Sequence, residues 1–223
     1  MKMRKSFCLV LVLGVLAVVS VTACHADDVV VPGWRGTAGT TYEQWGFDTD
    51  ANPTPPEVIN NPYGGATAIV VVGQYGSGWL DQLSGLGSKT GFWDLGSSGT
   101  ITLNIANSPI IDAYKDIWLQ VTYFRDITQA PEVDIPGAVR LGGETRLVEH
   151  VDTGGDWLLD QSRWRIEPNP SSETIVITSD VLWGALVNQV VVDTRCAAVP
   201  EPASLTALLL GCGAVLLRRR SGR

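Results

Sequence analysis

The sequence predicts an all-β protein, a two-layer antiparallel sandwich that lies between two apolar terminal segments. Apolar and polar residues alternate in several segments, which is the period of a strand with one wet face. Runs of β-branched residues at 69–72 and 190–192 are typical of central strands. No stretch of 12 residues between the two ends combines helical periodicity with good helix formers.

The individual strands are predicted from these patterns in chain order. They are segments 66–75, 100–106, 117–124, 144–151, 157–166, 173–178 and 186–193. Loops rich in glycine, serine or proline separate them, and one or two helical turns fit only around 109–114. Seven to nine strands over this length favour a sandwich. The last segments, from residue 164 to residue 193, resemble the closing strands of galactose-binding-like jelly rolls.

The C-terminal 25 residues contain a proline-rich motif, an apolar run and a basic tip. The motif is Pro200-Glu201-Pro202, the run is 203–217, and the tip is Arg218, Arg219 and Arg220. Fifteen apolar residues span about 22 Å as a helix, which is short of the roughly 30 Å hydrocarbon core of a bilayer. The arginines favour retention of their end in the cytoplasm, which places the preceding domain outside. The prolines disfavour helix and leave an extended backbone for a protease.

This order of motif, run and basic tip resembles the PEP-CTERM sorting signal of proteins that exosortases process. The resemblance implies cleavage near Pro200-Glu201-Pro202, with 203–217 as a single hydrophobic helix that crosses the inner membrane transiently. It also implies release to the cell envelope or extracellular matrix of a bacterium with an outer membrane, and an association with exopolysaccharide and biofilm. An anchor that is never cleaved is the alternative.

The N-terminal 26 residues have the layout of a secretory signal peptide. Lys2, Arg4 and Lys5 precede an apolar helix at 7–21, and small residues follow at 23–26. Signal peptidase is expected to cut after Ala26. Segment 21–24 also looks like a lipobox, which would make Cys24 a lipidated N-terminus. The predicted domains are therefore 1–26, 27–198 and 199–223.

Removal of both ends makes the remaining chain strongly acidic. Between residues 27 and 199 there are 22 Asp and Glu against 9 Lys and Arg, which gives 22 − 9 = 13 net negative charges, compared with 7 for the full sequence. This balance excludes nucleic acid as an expected partner, because phosphate binding relies on a basic surface. Cys196 is the only cysteine in this part, so no internal disulfide is expected. Cys196 is predicted to be a small residue at the end of the last strand, and a free thiol for intermolecular pairing is the alternative.

Catalytic motifs are scarce. His150 is the only histidine between residues 27 and 199, and its surroundings predict a strand residue that faces solvent. The sequence has no serine elbow, no phosphate loop and no His/Cys cluster with metal-ligand spacing. A non-enzymatic protein is therefore expected. A glycan-active hydrolase needs only two carboxylates at a set separation, and it stays as an alternative.

Asp48, Asp50 and Asn52 form an alternating run of oxygen ligands that looks like the start of a calcium loop. An EF-hand is excluded because Pro53 stands where glycine makes the sharp turn and Ile59 where the bidentate glutamate belongs. Calcium held by a shorter loop and a turn rich in Asp and Asn both fit this segment.

All eight tryptophans lie between residues 27 and 199. Those at 118, 164 and 183 sit in strand-like runs and are expected in the core. Trp79, Trp93 and Trp157 adjoin glycine-rich or polar loops, where an open ring could stack on a sugar. We therefore expect an exported, non-enzymatic surface or matrix protein that binds polysaccharide. A purely structural envelope component is the alternative.

Overall fold

The computed structural model describes residues 29–126, 130–152 and 154–197, and in these ranges the chain is all β. The predicted terminal helices and both predicted domain boundaries lie outside the described residues. Twelve strands are present in the described ranges. They are β1 (Thr40–Trp45), β2 (Val58–Asn60), β3 (Ala66–Val71), β4 (Gly78–Leu80), β5 (Phe92–Asp94), β6 (Thr100–Ala106), β7 (Tyr114–Arg125), β8 (Glu132–Asp134), β9 (Ala138–Val151), β10 (Gly155–Ile166), β11 (Ser172–Thr178) and β12 (Leu186–Ala197).

The strands form two antiparallel sheets. The larger sheet has eight strands, with the order β2-β1-β12-β7-β10-β9, and β5 joins it by pairing with β12 and β4. The smaller sheet has four strands in the order β3-β6-β11-β8. The first long strand, β1, therefore pairs with the last, β12, which ties the two ends of the described domain together.

One hydrophobic core joins the inner faces of the two sheets. Alternate residues of β6 and β11 point into it from the smaller sheet, and alternate residues of β7 and β12 point into it from the larger one. Its members from these four strands are Ile101, Leu103, Ile105, Ile117, Leu119, Val121, Ile175, Ile177, Val187, Val190 and Val192. A second, smaller cluster of Phe92, Phe124, Val151 and Trp157 packs under the loop that joins β4 to β5.

The alternation of apolar residues predicted the positions of the long strands well. Segment 100–106 coincides with β6, and each of the other predicted segments overlaps one of the long strands. The count of seven to nine strands was too low, because three-residue strands such as β2 and β4 are too short to show a period. No helical turn occurs at 109–113, and β7 begins at Tyr114.

The prediction that segment 66–75 forms a central strand was wrong. The strand β3 ends at Val71 and lies at the edge of the smaller sheet, with buried and exposed residues in strict alternation. Ile69 and Val71 face solvent there. β-branched residues fit the exposed face of a strand as well as the buried one, so their run did not distinguish an edge from a centre.

Candidate functional site

The outer face of the larger sheet carries a row of charged side chains across β10, β7 and β12. Arg165 and Arg195 both stand opposite Asp116 in the strand register. Arg165 donates from Nε to Asp116 Oδ1 at 2.8 Å, and Arg195 donates from Nη2 to Asp116 Oδ2 at 2.7 Å. Burial raises the pKa of Asp116, but the hydrogen bonds from the two guanidinium groups outweigh it and hold that pKa below its ordinary value. The carboxylate therefore fixes both arginines in place.

The next row along the same strands centres on Trp118. Arg163 and Asp193 stand opposite Trp118 on either side. The Arg163 guanidinium lies 6.0 Å from the centre of the Trp118 ring, at the outer limit of a cation–π contact. The buried Asp193 accepts hydrogen bonds from Arg35, one of them from Nη2 at 2.7 Å. Arg35 therefore neutralises Asp193, whereas Arg163 forms no ion pair or hydrogen bond within the described ranges.

The segment before β1 crosses this outer face. The backbone of Val30 exchanges two hydrogen bonds with the side chain of Gln120, at 2.8 and 3.1 Å. Further along the same segment, the Trp34 ring lies 5.4 Å from the Arg195 guanidinium. The N-terminal segment thus supplies one wall above the sheet.

Two adjoining hollows lie between that wall and strand β9, and we call them together the Trp118 groove. One has a volume of about 270 Å³ and the other about 230 Å³. Both are lined by Trp118 and Arg163. The first is also lined by Trp34, Asp116, Arg165 and Arg195, and the second by Gly143, Glu144 and Gln161.

Three buried donors among the groove residues have no hydrogen-bond partner within the described chain. They are Trp118 Nε1, Gln161 Nε2 and Arg195 Nε. Gln161 is only 4% exposed, so its amide is held away from bulk solvent beside the groove. A buried donor without a partner costs about 1–3 kcal/mol, which a ligand acceptor would recover. The groove is therefore suited to a ligand with acceptor oxygens and a flat apolar face.

The expectation of open rings at Trp93 and Trp157 was wrong. Trp93 is 5% exposed in the main core, and Trp157 is 0% exposed in the smaller cluster, where its Nε1 donates to Leu86 O at 2.6 Å. Trp79 is half-buried against the main core, and its Nε1 donates to Phe47 O at 2.7 Å. The neighbouring loops fold back over these rings, which residue spacing along the chain does not reveal.

The tryptophans expected in the core are also redistributed. Trp164 is buried as predicted, but Trp118 lines the groove and Trp183 is 51% exposed. Trp183 lies in the turn before β12, beside the exposed Val181 and Leu182. The strand-like composition around residue 183 therefore predicted the wrong environment for the Trp183 side chain.

Asp48, Asp50 and Asn52 occupy an exposed turn between β1 and β2. The Asn52 side chain bonds to the backbone of Val70, donating to its O at 2.7 Å and accepting from its N at 2.9 Å. Asn52 thus fastens the turn to β3, and its amide is already engaged. In the described ranges no group of three or more His, Cys, Asp or Glu side chains is placed to hold a metal ion.

His150 lies on β9 and is exposed, as predicted. Its Nδ1 lies 2.6 Å from Oδ1 of Asp156 across the β9–β10 hairpin, and this carboxylate, as hydrogen-bond acceptor, raises the pKa of His150. Cys196 lies near the end of β12, where burial raises the pKa of its thiol. The thiol lies 3.5 Å from Asn107 Oδ1, so it is held inside the fold.

Two carboxylates with raised pKa values do occur together, but they lie inside the core. Lys115 Nζ donates to Glu173 Oε1 at 2.5 Å, and all atoms of both side chains are buried. Glu43, which is 0% exposed, accepts a hydrogen bond of 2.8 Å from Asn61. Burial raises the pKa of Glu43 to about 7 and also raises that of Glu173. These acids are sealed between the sheets and are not presented to a substrate in a cleft.

The predicted sorting and cleavage residues lie outside the described residues. They are Ala26, Pro200, Glu201, Pro202, Arg218, Arg219 and Arg220. The described part of the chain contains no helix that is long and apolar enough to span a bilayer.

The groove is not evident from the sequence, although two of its residue pairs follow the alternation of a strand. Asp116 and Trp118 are two residues apart on one strand, and so are Arg163 and Arg165 on another, which places each pair on one face. The register that sets one pair opposite the other joins positions about 50 residues apart and has no local signal.

Comparisons of this chain with protein-family models, with curated proteins and with solved structures give no match.

Proposed function

We propose that this chain is an exported, exosortase-processed protein of the cell surface or extracellular matrix, and that it binds polysaccharide without catalysis in the Trp118 groove. Export is supported by the basic and apolar start of the sequence with its small residues before Ala26. Processing is supported by the resemblance of Pro200-Glu201-Pro202 and the segments after it to the PEP-CTERM signal.

The observation that carries the binding proposal is the combination of ring and donors in one groove. Trp118 offers an aromatic surface, and Trp34 lies across the same hollow. Trp118 Nε1 and Gln161 Nε2, which have no partner within the described ranges, belong to residues that line this groove and supply donors for sugar oxygens in the proposal. Pockets for small ligands are commonly built from apolar walls with a few polar groups, and two open hollows side by side suit successive residues of a polymer.

The finer fold assignment, a jelly roll of the galactose-binding-like type, is part of the proposal. The strand order β1-β12-β7-β10 in one sheet and β6-β11-β8 in the other supports it, because consecutive strands pass between the two sheets. Jelly rolls are built in this way from two Greek keys and serve as lectin domains among other uses. The fold alone assigns no function, so the groove carries the argument.

A structural envelope component that self-assembles is the second candidate, and strand β9 favours it. This 14-residue strand lies at the edge of the larger sheet, next to β10. It exposes Val139, Leu141 and Leu147. An edge strand of this length can template pairing with another chain. The hydrolase alternative has less support, because Glu43 and Glu173 are enclosed in the core and Asp193, whose pKa burial also raises, is paired with Arg35.

Binding is tested with the full-length protein and immobilised alginate, galacturonan, xylan and cellulose. We expect at least one polysaccharide to retain the protein, and Trp118→Ala to weaken that retention about tenfold or more, because stacking and a donor are lost together. Trp183→Ala removes an exposed ring far along the sequence and serves as the matched control.

Equal loss in both variants would indicate nonspecific adhesion and contradict the groove assignment. Retention by none of the four, together with concentration-dependent oligomers, would favour the structural candidate instead. Melting temperatures of both variants separate lost binding from lost folding.

A further inference from the structure

We propose that the Trp118 groove selects acidic sugars and binds a carboxylate, as in a uronate residue, between Arg163 and Gln161. This inference rests on the proposed function and narrows it to a ligand class.

The groove has an imbalance between hydrogen-bond donors and acceptors. Trp118 Nε1, Gln161 Nε2 and Arg195 Nε are buried donors without partners in the described chain, and the Arg163 guanidinium adds donors that also lack a hydrogen-bond partner there. The Asp116 carboxylate already accepts from two arginines. A neutral hydroxyl brings a donor with each acceptor, whereas an ionised carboxylate only accepts, so it matches this set of groups better.

The basic residues that line the groove also favour an acidic ligand. Three of the nine basic residues between positions 27 and 199 line the groove, in a region of the chain that is otherwise strongly acidic. Asp116 and Glu144 also line it and compensate two of these three positive charges. Arg163 is exposed, forms no ion pair within the described ranges, and lines both hollows.

The position of the Arg163 guanidinium relative to the Trp118 ring also favours an acidic sugar. Arg163 is 6.0 Å from the Trp118 ring centre and stands beside it in the strand register. Arg163 and Gln161 line the same hollow as Trp118, so a sugar held there would bring an equatorial carboxylate between these two side chains. Glu144 lines the same hollow, so a carboxylate bound there lies on the Arg163 side, away from Glu144.

The test uses hexameric galacturonate and the same hexamer after chemical reduction of its carboxyl groups, which preserves length and linkage. Isothermal titration of the full-length protein with each probe is expected to show at least about tenfold tighter binding of the acidic hexamer, the effect of one charge-assisted hydrogen-bond pair. Arg163→Gln keeps a side chain of similar reach without the charge. We expect it to remove most of this preference, so that the acidic and reduced hexamers bind with similar affinity.

Arg125→Gln is the matched control, because Arg125 is exposed at the far end of β7. This substitution makes the same change in net charge as Arg163→Gln. Equal affinity for the two hexamers would overturn the selectivity and leave polysaccharide binding standing. Binding of neither hexamer, with none of the four polysaccharides retained, would overturn both. An equal loss of acidic binding in Arg125→Gln and Arg163→Gln would show that net charge, and not the groove, governs the preference.

Discussion

Glu43 shows how a single buried side chain can set the response of this fold to pH. The residue is 0% exposed and lies near the buried Lys115–Glu173 pair. Burial is the largest cause of its raised pKa, and the charge of Glu173 adds to it, while hydrogen bonds from Asn61 and Thr41 lower the pKa in part. The protonated form is therefore the one that the folded state prefers.

The first prediction is that the protein is more stable at pH 5 than at pH 8. The pKa of Glu43 is about 7 in the folded state and 4.5 as the ordinary value, so the folded state holds a proton that the unfolded state releases between these values. Its contribution to the free energy of unfolding is present below pH 4.5 and is lost as the pH rises to about 7, by an amount on the order of 3 kcal/mol. Urea unfolding followed by tryptophan fluorescence at both pH values measures it.

Glu43→Gln keeps the hydrogen-bond acceptor for Asn61 and cannot ionise. We expect this variant to be more stable than the natural protein at pH 8 and to lose most of the difference between the two pH values. Glu132→Gln, at an exposed position on β8, is the control. An unchanged pH dependence in Glu43→Gln would contradict the assignment.

At the scale of the structural elements, close backbone packing between two loops contributes to the stability of the fold. Four glycines bring the loops after β3 and β5 into direct contact, and they are Gly73, Gly76, Gly96 and Gly99. Gly73 N donates to Leu95 O at 2.8 Å, and a Cβ at Gly73 would lie 1.9 Å from Ser97 O. The neighbouring atoms are backbone atoms, so they cannot rotate away.

The second prediction follows from this contact. Gly73→Ala is expected to reduce the free energy of unfolding by at least about 2 kcal/mol, since an overpacked site must shift backbone. A Cβ at Gly65 meets nothing within 4 Å, so Gly65→Ala is the matched control and is expected to change stability by less than about 1 kcal/mol, in the stabilising direction. Urea unfolding of both variants measures the difference. Equal stability of the two variants would show that the loops adjust freely.

The elements also show what the sequence can and cannot predict. Alternation in 100–106 was sufficient to define β6, because a strand with one wet face repeats every two residues. The burial of Trp157 was not predictable, because its cover is a loop carrying Leu86, 71 residues away along the chain. The groove combines Trp34 with Arg195, from opposite ends of the described domain, and the pairing of β1 with β12 helps to bring such distant residues together.

For the whole molecule, the proposed maturation predicts a defined secreted form. In a bacterium that has an exosortase, mass spectrometry of the culture medium is expected to find a species that begins at Asp27 and ends near Pro200-Glu201-Pro202. Glu201→Ala should leave the protein in the membrane fraction with residues 203–217 attached, while Glu167→Ala, an exposed acid outside the motif, should not. Full-length protein recovered from the cytosol would contradict the scheme.

The pairing of β12 with β7 has a consequence for the order of events during maturation. Arg195 belongs to the groove and precedes the apolar run at Ala203 by eight residues, which span at most about 29 Å when fully extended. In the proposed scheme, an uncut precursor therefore keeps its binding surface within that distance of the lipid headgroups, where a thick polymer has little room to enter. Proteolysis would then determine when binding begins, because the protein first meets its carbohydrate after it has left the cell that made it.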